Sequence, residues 1–429
     1  MKWKSVFALL VVGLVALSVA ASGCISGGGE KTGINILYTY TGSFGDPAKG
    51  KQATQAQLQQ GAWVIYQVAG GTGLGVFEAV GDYLKANNKK MGPPFAIGVD
   101  SAQDWIKPGV IIASMMKRVD VGVYNAVKQA EENKFKGGVV ELGLKEGGVK
   151  LSTIDDVKAM FDSLPADVRE KKLKDLGFKN ESELIQFLEQ TRKQVPDWIW
   201  QAVDDLQKQI INGQIVVPKA TSKDQIEELR KLSDWKKMED YAKQWAANEP
   251  KPETYSNETL NERQNTGKIA IVYDVGGRGD LSFNDMAYMG AERAAKEFGL
   301  QLTELQSNSE NDYLPNLRSL AKSGEYDIII AVGFMMTNAV KQVAKEYPNQ
   351  RFVIIDGDVY NMSNVMTIKF KENEGSALAG ALAALITLND NKNTIGIVLG
   401  MEIPVLYKFE GGYRFGAYWA LDYYKNHKQ

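Results

Sequence analysis

Short apolar runs recur along the chain, separated by stretches in which apolar residues fall three and four positions apart. "INILYTYTG" (34–42), "AWVIYQVAGG" (62–71), "PFAIGVD" (94–100) and "VIIASMMK" (110–117) read as strands, with helices expected over about 48–60 and 74–86. The rhythm returns in "KIAIVYD" (268–274), "YDIIIAVG" (326–333), "RFVIID" (351–356), "NVMTIKF" (364–370) and "TIGIVLG" (394–400). Helices are expected between and after these runs, over about 284–297, 313–323, 336–346, 373–388 and 407–425. Near-continuous apolar strands alternating with helices point to parallel sheets covered on both faces. There are too many strands for one compact unit, so the expected fold class is α/β with two lobes, at 34–150 and 267–429.

Between the lobes the pattern changes. Over 151–218 apolar residues fall at helical spacing in "IDDVKAMFDSL", "ESELIQFLEQTRKQ" and "DWIWQAVDDLQKQIING", and "QIVVP" (214–218) is the single strand expected. Tryptophans and leucines here read as packing. Residues 219–266 end in "AANEPKPETYSNETLNERQNT", a polar, proline-bearing composition that reads as a linker.

The first residues set the compartment. "MKWKSVFALLVVGLVALSVAASGC" has two lysines, an apolar run shorter than the ~20 residues of a spanning helix, and small residues before Cys24. That is the layout of a secretory signal over 1–23, with Cys24 as a lipidated N-terminus and glycine-rich 24–33 as a tether. The expected location is the outer face of the cell membrane.

Composition then removes classes of chemistry. A formal net charge of −2 gives no electrostatic reason to expect nucleic acid. His427 is the only histidine and Cys24 the only cysteine, so histidine catalysis, cysteine zinc clusters and internal disulfides are not expected. No cofactor or metal site is expected.

In open α/β sheets ligands gather beyond the carboxyl ends of strands, so the loops there are the candidate site. Ser282-Phe283-Asn284-Asp285 follows strand 268–274, and Ser43-Phe44-Gly45-Asp46 follows the strand that begins at Ile34. One frame at equivalent points of two strand–turn–helix units suggests two aromatic rings facing each other across a cleft. Such rings can stack a flat ligand, at about 1–3 kcal/mol per ring in base-binding proteins; the bland alternative is a pair of half-buried loop aromatics. Asp274, Asp100 and Asp356 end strands, while Gly70, Gly71 and Thr72 follow another. The carboxylates are placed to accept hydrogen bonds from ribose hydroxyls or base N–H groups, or else to cap the next helix. Lys117 is placed to neutralise the acidic cluster or to donate to a hydroxyl.

Other readings of these residues are weaker. "GGTGLG" (70–75) lacks the lysine of a phosphate loop and is a weak dinucleotide fingerprint. The aspartates are scattered singly over different strands, unlike a calcium or magnesium loop. Carboxylates alone can run glycoside chemistry, but binding without chemistry is the simpler account. Arg278-Gly279-Asp280 reads as a coincidental tripeptide in a turn.

"KIAIVYDVGGRGDLSFND", "AVGFMMTNAVKQVAKEYPNQRFVIIDG", "FKENEGSALAGALAAL", "GMEIPVLYKFEGGYRFG", "TGSFGDPAKG", "AGGTGLGVFEA", "AIGVDSAQDW" and "SMMKRVDVGVY" resemble the basic membrane protein family of lipoproteins. That family is similar to purine nucleoside receptor lipoproteins, the substrate-binding components of ABC importers. The likeness covers most of 34–150 and 267–425; 195–218 resembles the family's closing helix and strand, and 151–194 looks like an insertion. The order of blocks departs from the family, since its second half comes first, as in a circular permutant cut between the helix ending near Lys425 and the strand starting near Ile34.

The resemblance implies a type I periplasmic-binding fold whose lobes close over a ligand. By position, Phe283 and Phe44 would sandwich a purine, Asn284 and Asp356 would bond its edge, Asp100 and Lys117 would hold the ribose, and Asp274, Ser282 and Gly71 would line the pocket. The implied ligand is a nucleoside of guanosine, adenosine or inosine type, and the implied partners are a membrane permease and, through the lipid, the membrane; the protein is expected to be a monomer and not an enzyme. The alternatives are an extracytoplasmic sensor or sugar binder on the same fold and, behind them, a nucleoside-cleaving enzyme.

Overall fold

A computed structural model describes residues 33–249, 254–256, 258–262 and 264–428. The expected leader, Cys24 and nearly all of the tether lie outside the described residues. The chain from Gly33 onward forms one compact unit.

Its first part runs β1 (Asn35–Tyr40), α1 (Pro47–Gln59), β2 (Val64–Val68), α2 (Gly73–Ala86), β3 (Phe95–Asp100), β4 (Ile111–Lys117), α3 (Val119–Glu131), β5 (Lys136–Leu142) and β6 (Val149–Leu151). Helices α4 (Ile154–Asp162), α5 (Ala166–Leu176), α6 (Glu181–Arg192), α7 (Asp197–Ile211), α8 (Lys223–Arg230) and α9 (Trp235–Asn248) follow, then β7 (Thr254–Ser256) and α10 (Glu258–Asn261). The last part is β8 (Lys268–Tyr273), α11 (Phe283–Phe298), β9 (Gln301–Gln306), α12 (Tyr313–Ser323), β10 (Ile328–Val332), α13 (Thr337–Glu346), β11 (Phe352–Ile355), β12 (Val365–Phe370), α14 (Glu372–Asn389), β13 (Thr394–Leu399) and α15 (Pro404–Lys428).

The strands form two sheets, ordered β1-β13-β2-β3-β4-β6 and β7-β5-β12-β11-β10-β8-β9. Every pairing is parallel except those of the short edge strands β6 and β7. Helices cover both faces of each sheet: α1 and α2 against α14 on the first, α12 and α13 against α3 and α11 on the second. This is the expected two-lobed α/β class. Strands β2, β3, β4, β10 and β11 are buried at every position, which is why they read as near-continuous apolar runs, interrupted by Gln67 in β2 and by Ser114 and Lys117 in β4.

Counted from β8, the second sheet is built in the order two-one-three-four-five, as β9-β8-β10-β11-β12. The first sheet repeats that order, as β1-β13-β2-β3-β4, only if β13 is counted first and β1 second. The expected reordering accounts for this: a cut between α15 and β1 leaves every strand its neighbours. Three segments cross between the lobes, at β4 to α3, β5 to β6 and β12 to α14. They lie side by side, the Arg118 N–H donating to the Gly148 carbonyl (2.8 Å) and the Lys371 N–H to the Leu142 carbonyl (3.0 Å).

Some expectations need correction. "QIVVP" forms no strand and pairs with none among the described residues. Glu239 takes the Val216 N–H (3.0 Å) and Asn373 donates to the Val217 carbonyl (2.9 Å), so side chains satisfy backbone that a ladder would otherwise serve. Much of the 219–266 linker is folded. Ile226 and Leu229 on α8 and Met238 and Ala242 on α9 are buried, a sparse apolar stripe hidden in a highly charged segment, and both helices pack on α15. Strands β5 and β9 were not expected, since "KGGVVEL" carries two glycines after its first residue and the edge strand "QLTELQ" has no apolar run.

Helices α14 and α15 approach so closely that a Cβ on Gly416 would lie 1.9 Å from the Ala377 carbonyl oxygen, and one on Gly380 2.0 Å from that of Tyr413. Gly416→Val is therefore expected to lower stability by about 1–3 kcal/mol, the usual cost of overpacking, read as a fall in the urea midpoint. An unchanged midpoint would mean that the helices can part without loss.

Candidate functional site

The carboxyl ends of strands from both sheets meet at one aromatic-walled cavity. The first lobe contributes Phe44, Gly70, Gly71, Asp100 and Lys117; the second contributes Asp274, Asp280, Phe283, Asn284, Phe334 and Asp356. Residues Ile403, Val405, Leu406 and Phe409, from the start of α15, supply an apolar floor. Of the residues expected at the site, only Ser282 is off the wall. It is fully buried, and its hydroxyl donates to Asp100 across the lobes (2.6 Å).

The loop after β8 is held by its own carboxylates. Asp274 accepts the Gly276 N–H (2.9 Å) and the Asn284 amide (3.1 Å). Asp280 accepts the backbone N–H groups of Ser282 (2.9 Å), Asn284 (2.9 Å) and Asp285 (3.2 Å), which fixes the start of α11 and turns Phe283 toward the cavity. Arg278 bonds Asp285 (2.9 Å) and Glu304 (3.0 Å) and lies over the Tyr288 ring (3.4 Å). The Arg-Gly-Asp tripeptide is thus split between a pinned surface arginine and a buried cap, so Asp280 has a structural role that the tripeptide reading missed. Across the cleft Ser101 (2.7 Å) and Gln103 (2.9 Å) both donate to the Leu281 carbonyl, latching this loop to the other lobe.

Phe44 lies over backbone: a Cβ on Gly400 would come within 2.3 Å of its ring. Phe44 and Phe283 are both half-buried and line the same cavity, but they are not equivalent in the topology. Phe283 follows β8, counted first in its sheet, whereas Phe44 follows β1, counted second. True equivalents are Gly70–Thr72 and Phe334–Met336, each a single 3-10 turn after the third strand, and Asp100 and Asp356, at the carboxyl end of the fourth. Both aspartates have left-handed backbone, φ 62° and φ 64°, a conformation non-glycine residues adopt mainly where the surroundings impose it.

Lys117 is the last residue of β4, fully buried, and its ammonium pairs with Asp356 of the other lobe and with Glu372 (2.8 Å) at the start of α14. Glu372 pairs in turn with Lys408 (2.5 Å). Burial alone would lower the Lys117 ammonium, but Asp356, Glu372 and Asp100 outweigh it and hold it above the ordinary lysine value. Burial would likewise raise the Glu372 carboxyl, but Lys117 and Lys408 hold it down at about 2. The Lys117 ammonium also sits 5.0 Å from the Phe283 ring centroid. Two buried oxygens on the cavity, Asn284 Oδ1 and Asp356 Oδ1, have no hydrogen-bond partner among the described residues.

Two aromatic rings, an apolar floor and these two open acceptors suit a flat ligand with polar edges. A second space of about 890 Å³ adjoins this cavity and shares Phe334, Asp356 and Val405 with it. Its lysines are engaged, Lys219 with Glu141 and Glu249, and Lys369 with Asp358. The walls from Phe334, Val405, Leu406 and Phe409 were missed in the sequence; the only local signal was a glycine-phenylalanine pair closing the strand at Gly333.

A profile of the family described as Bmp, ABC transporter substrate-binding protein PnrA-like, matches residues 30–221 and 268–420. The chain belongs to this family. An uncharacterized lipoprotein of Pyrococcus horikoshii is 49% identical over 151 residues, 35% of this chain and 37% of that one. The ABC transporter nucleoside-binding protein BmpA of Lactococcus lactis is 38% identical over 154 residues, covering 35% and 43%. The chain thus spans well under half the length of these curated relatives. A solved ABC transporter solute-binding protein of Aeropyrum pernix K1 is 37% identical over 37% of this chain and 44% of its own, with a TM-score of 0.35. The family match leaves out 222–267, which holds α8, α9, β7 and α10. Among the described residues no helix is long and apolar enough to cross a membrane.

Two consequences of the charge cluster are measurable. Lys117→Met removes the cation between two buried carboxylates and should cost about 3–5 kcal/mol at neutral pH; a loss under about 1 kcal/mol in urea unfolding would show the carboxylates to be solvated. Burial pushes the Asp100 carboxyl up to about 6, against the pull of Lys117 and Ser282. A raised carboxyl contributes stability that is present below its unfolded value and lost as pH rises through its folded value. Asp100→Asn, which cannot ionise, should therefore gain on the parent by roughly 2–3 kcal/mol as pH rises from about 4 to about 7. Parallel unfolding curves that differ by the same amount at every pH would exclude this.

Proposed function

We propose that this chain is the substrate-binding lipoprotein of an ABC importer and takes a purine nucleoside into the cavity between its lobes, without chemistry. The observation that carries the reading is the pair Phe44 and Phe283, from opposite lobes, on the wall of one cavity. A base held between two rings gains about 1–3 kcal/mol from each. Asn284 and Asp356 supply buried, unpartnered oxygens for a purine edge, where donors and acceptors lie side by side. Asp100 and Lys117 serve the ribose, and Asp274, by engaging the Asn284 amide nitrogen, leaves Oδ1 of that amide free for the ligand. The name of the Lactococcus relative as a nucleoside-binding protein agrees with this choice of ligand.

Delivery to a permease follows from the same fold. The latch of Ser101 and Gln103 on Leu281 and the Ser282 bond to Asp100 form only when the lobes are together, so ligand-driven closure would present a changed surface to the membrane partner. Lipidation at Cys24 would keep the protein, as a monomer, at the outer face of the membrane; the relatives' description as lipoproteins supports this. A ligand sensor on the same fold would bind alike and lack the permease.

Calorimetry with guanosine, adenosine, inosine, free bases and sugars tests the reading. Nucleoside binding without release of base is expected, and Phe44→Ala and Phe283→Ala should each weaken it about 5- to 100-fold. Binding of sugars alone would overturn the nucleoside assignment, liberated base would point to the cleaving enzyme, and unchanged affinity in both variants would end the sandwich.

A further inference from the structure

The end of the first sheet opposite the cavity, where its strands begin, has an unusual surface. Trp63, just before β2, is half-buried; its indole N–H is held by Asp390 (2.8 Å), and the ammonium groups of Lys392 (5.1 Å) and Lys89 (5.7 Å) lie over its ring. Tyr83, in the last turn of α2, is 38% exposed. Trp198, opening α7, sits 6.2 Å from Tyr424 near the end of α15. Lys85, Lys89, Lys90, Lys392 and Lys425 at this end are exposed. Against them stand Asp390, occupied by Trp63, Asp82, paired with Lys51 (2.7 Å), Asp422, which accepts the Trp235 indole N–H (3.1 Å), and exposed Asp197.

The described chain also begins here: Gly33 leads into β1, whose Asn35 N–H donates to the Asn393 carbonyl (2.6 Å) beside Lys392. Cys24 lies nine residues upstream of Gly33. Even fully extended, that length spans only about 30 Å, so an acyl chain on Cys24 would hold this end, rather than the cavity end, near the bilayer.

We propose that this strand-start end is a membrane-contacting face that rests on anionic lipid headgroups. Half-buried tryptophan and tyrosine suit the interfacial layer, where one end of the ring is apolar and the other wet. Exposed lysines gather at a negative lipid surface and are screened by salt. The lipid-anchored reading supplies the tether, but the face is testable without it.

The chain from Gly33 to Gln429, which lacks Cys24, is mixed with vesicles of phosphatidylcholine or of phosphatidylcholine with phosphatidylglycerol and sedimented. Binding to the anionic vesicles, at least tenfold above neutral ones and lost in high salt, is expected. Lys89→Glu with Lys392→Glu should reduce it at least tenfold, and Lys90→Glu with Lys425→Glu, which leaves the Trp63 stack intact, should reduce it several-fold with an unchanged urea midpoint. Equal binding to both vesicles, no binding, or anionic binding untouched by both double variants overturns the proposal. None of these results bears on nucleoside affinity, so this face and the ligand assignment stand or fall separately.

Discussion

The ammonium of Lys117 sits where the fold has least freedom. It ends β4, one residue before the chain leaves the first lobe, and it pairs with a carboxylate from the second lobe and another at the point where β12 hands the chain back to α14. A charge this deeply buried is tolerable only while both partners stay in place. The crossover segments, the relative setting of the sheets and the floor of the cavity are therefore one electrostatic unit. The same ammonium faces Phe283, so the ring expected to meet a ligand is held against the group that locks the lobes.

Because the fold rests on contacts of this kind, chain order matters little to it. β1 and β13 are neighbours in the sheet although one opens the described chain and the other lies near its end. Residues 219–266 are accommodated by packing on α15 at one end and by β7 pairing with β5 at the other. Their anchoring is polar as well as apolar: Arg230 forms two bonds to the buried Glu410 (2.9 and 2.7 Å), and Trp235 donates to Asp422 (3.1 Å).

The legible parts of the fold were those where one force dominates. Strands buried on both faces are apolar at most positions, and β2, β3, β4, β8, β10, β11, β12 and β13 announce themselves for that reason. β9 lies at a sheet edge, where solvent accepts polar side chains, and β5 carries two glycines after its first residue, so neither left a run to find. At the site, loop positions pointed to Phe44, Asp100, Asp274, Phe283 and Asp356, and the family resemblance added Asn284; all six line the cavity. Ser282 was displaced from that set because the nearest acceptor for its hydroxyl is Asp100, and Asp280 escaped notice because a helix-capping carboxylate looks like any loop aspartate in sequence. The apolar wall from α15 was hidden because the expected helix began near 407, leaving Val405 and Leu406 outside it, and Phe409 read as an ordinary helix position.

The two lobes present matched backbone but unmatched chemistry. Asp100 and Asp356 occupy the same place at the carboxyl end of the fourth strand of their sheets and share a left-handed backbone, so each carboxylate is aimed into the cleft by the same local geometry. Yet Asp356 carries a cation at one oxygen and leaves the other unpartnered, while Asp100 accepts a neutral hydroxyl. A symmetric frame with asymmetric partners defines two different polar ends to a cavity whose walls are aromatic. A flat ligand held as proposed between the rings would meet unlike carboxylates at its two ends, and they are unlike because the neighbours differ, although the backbone repeats.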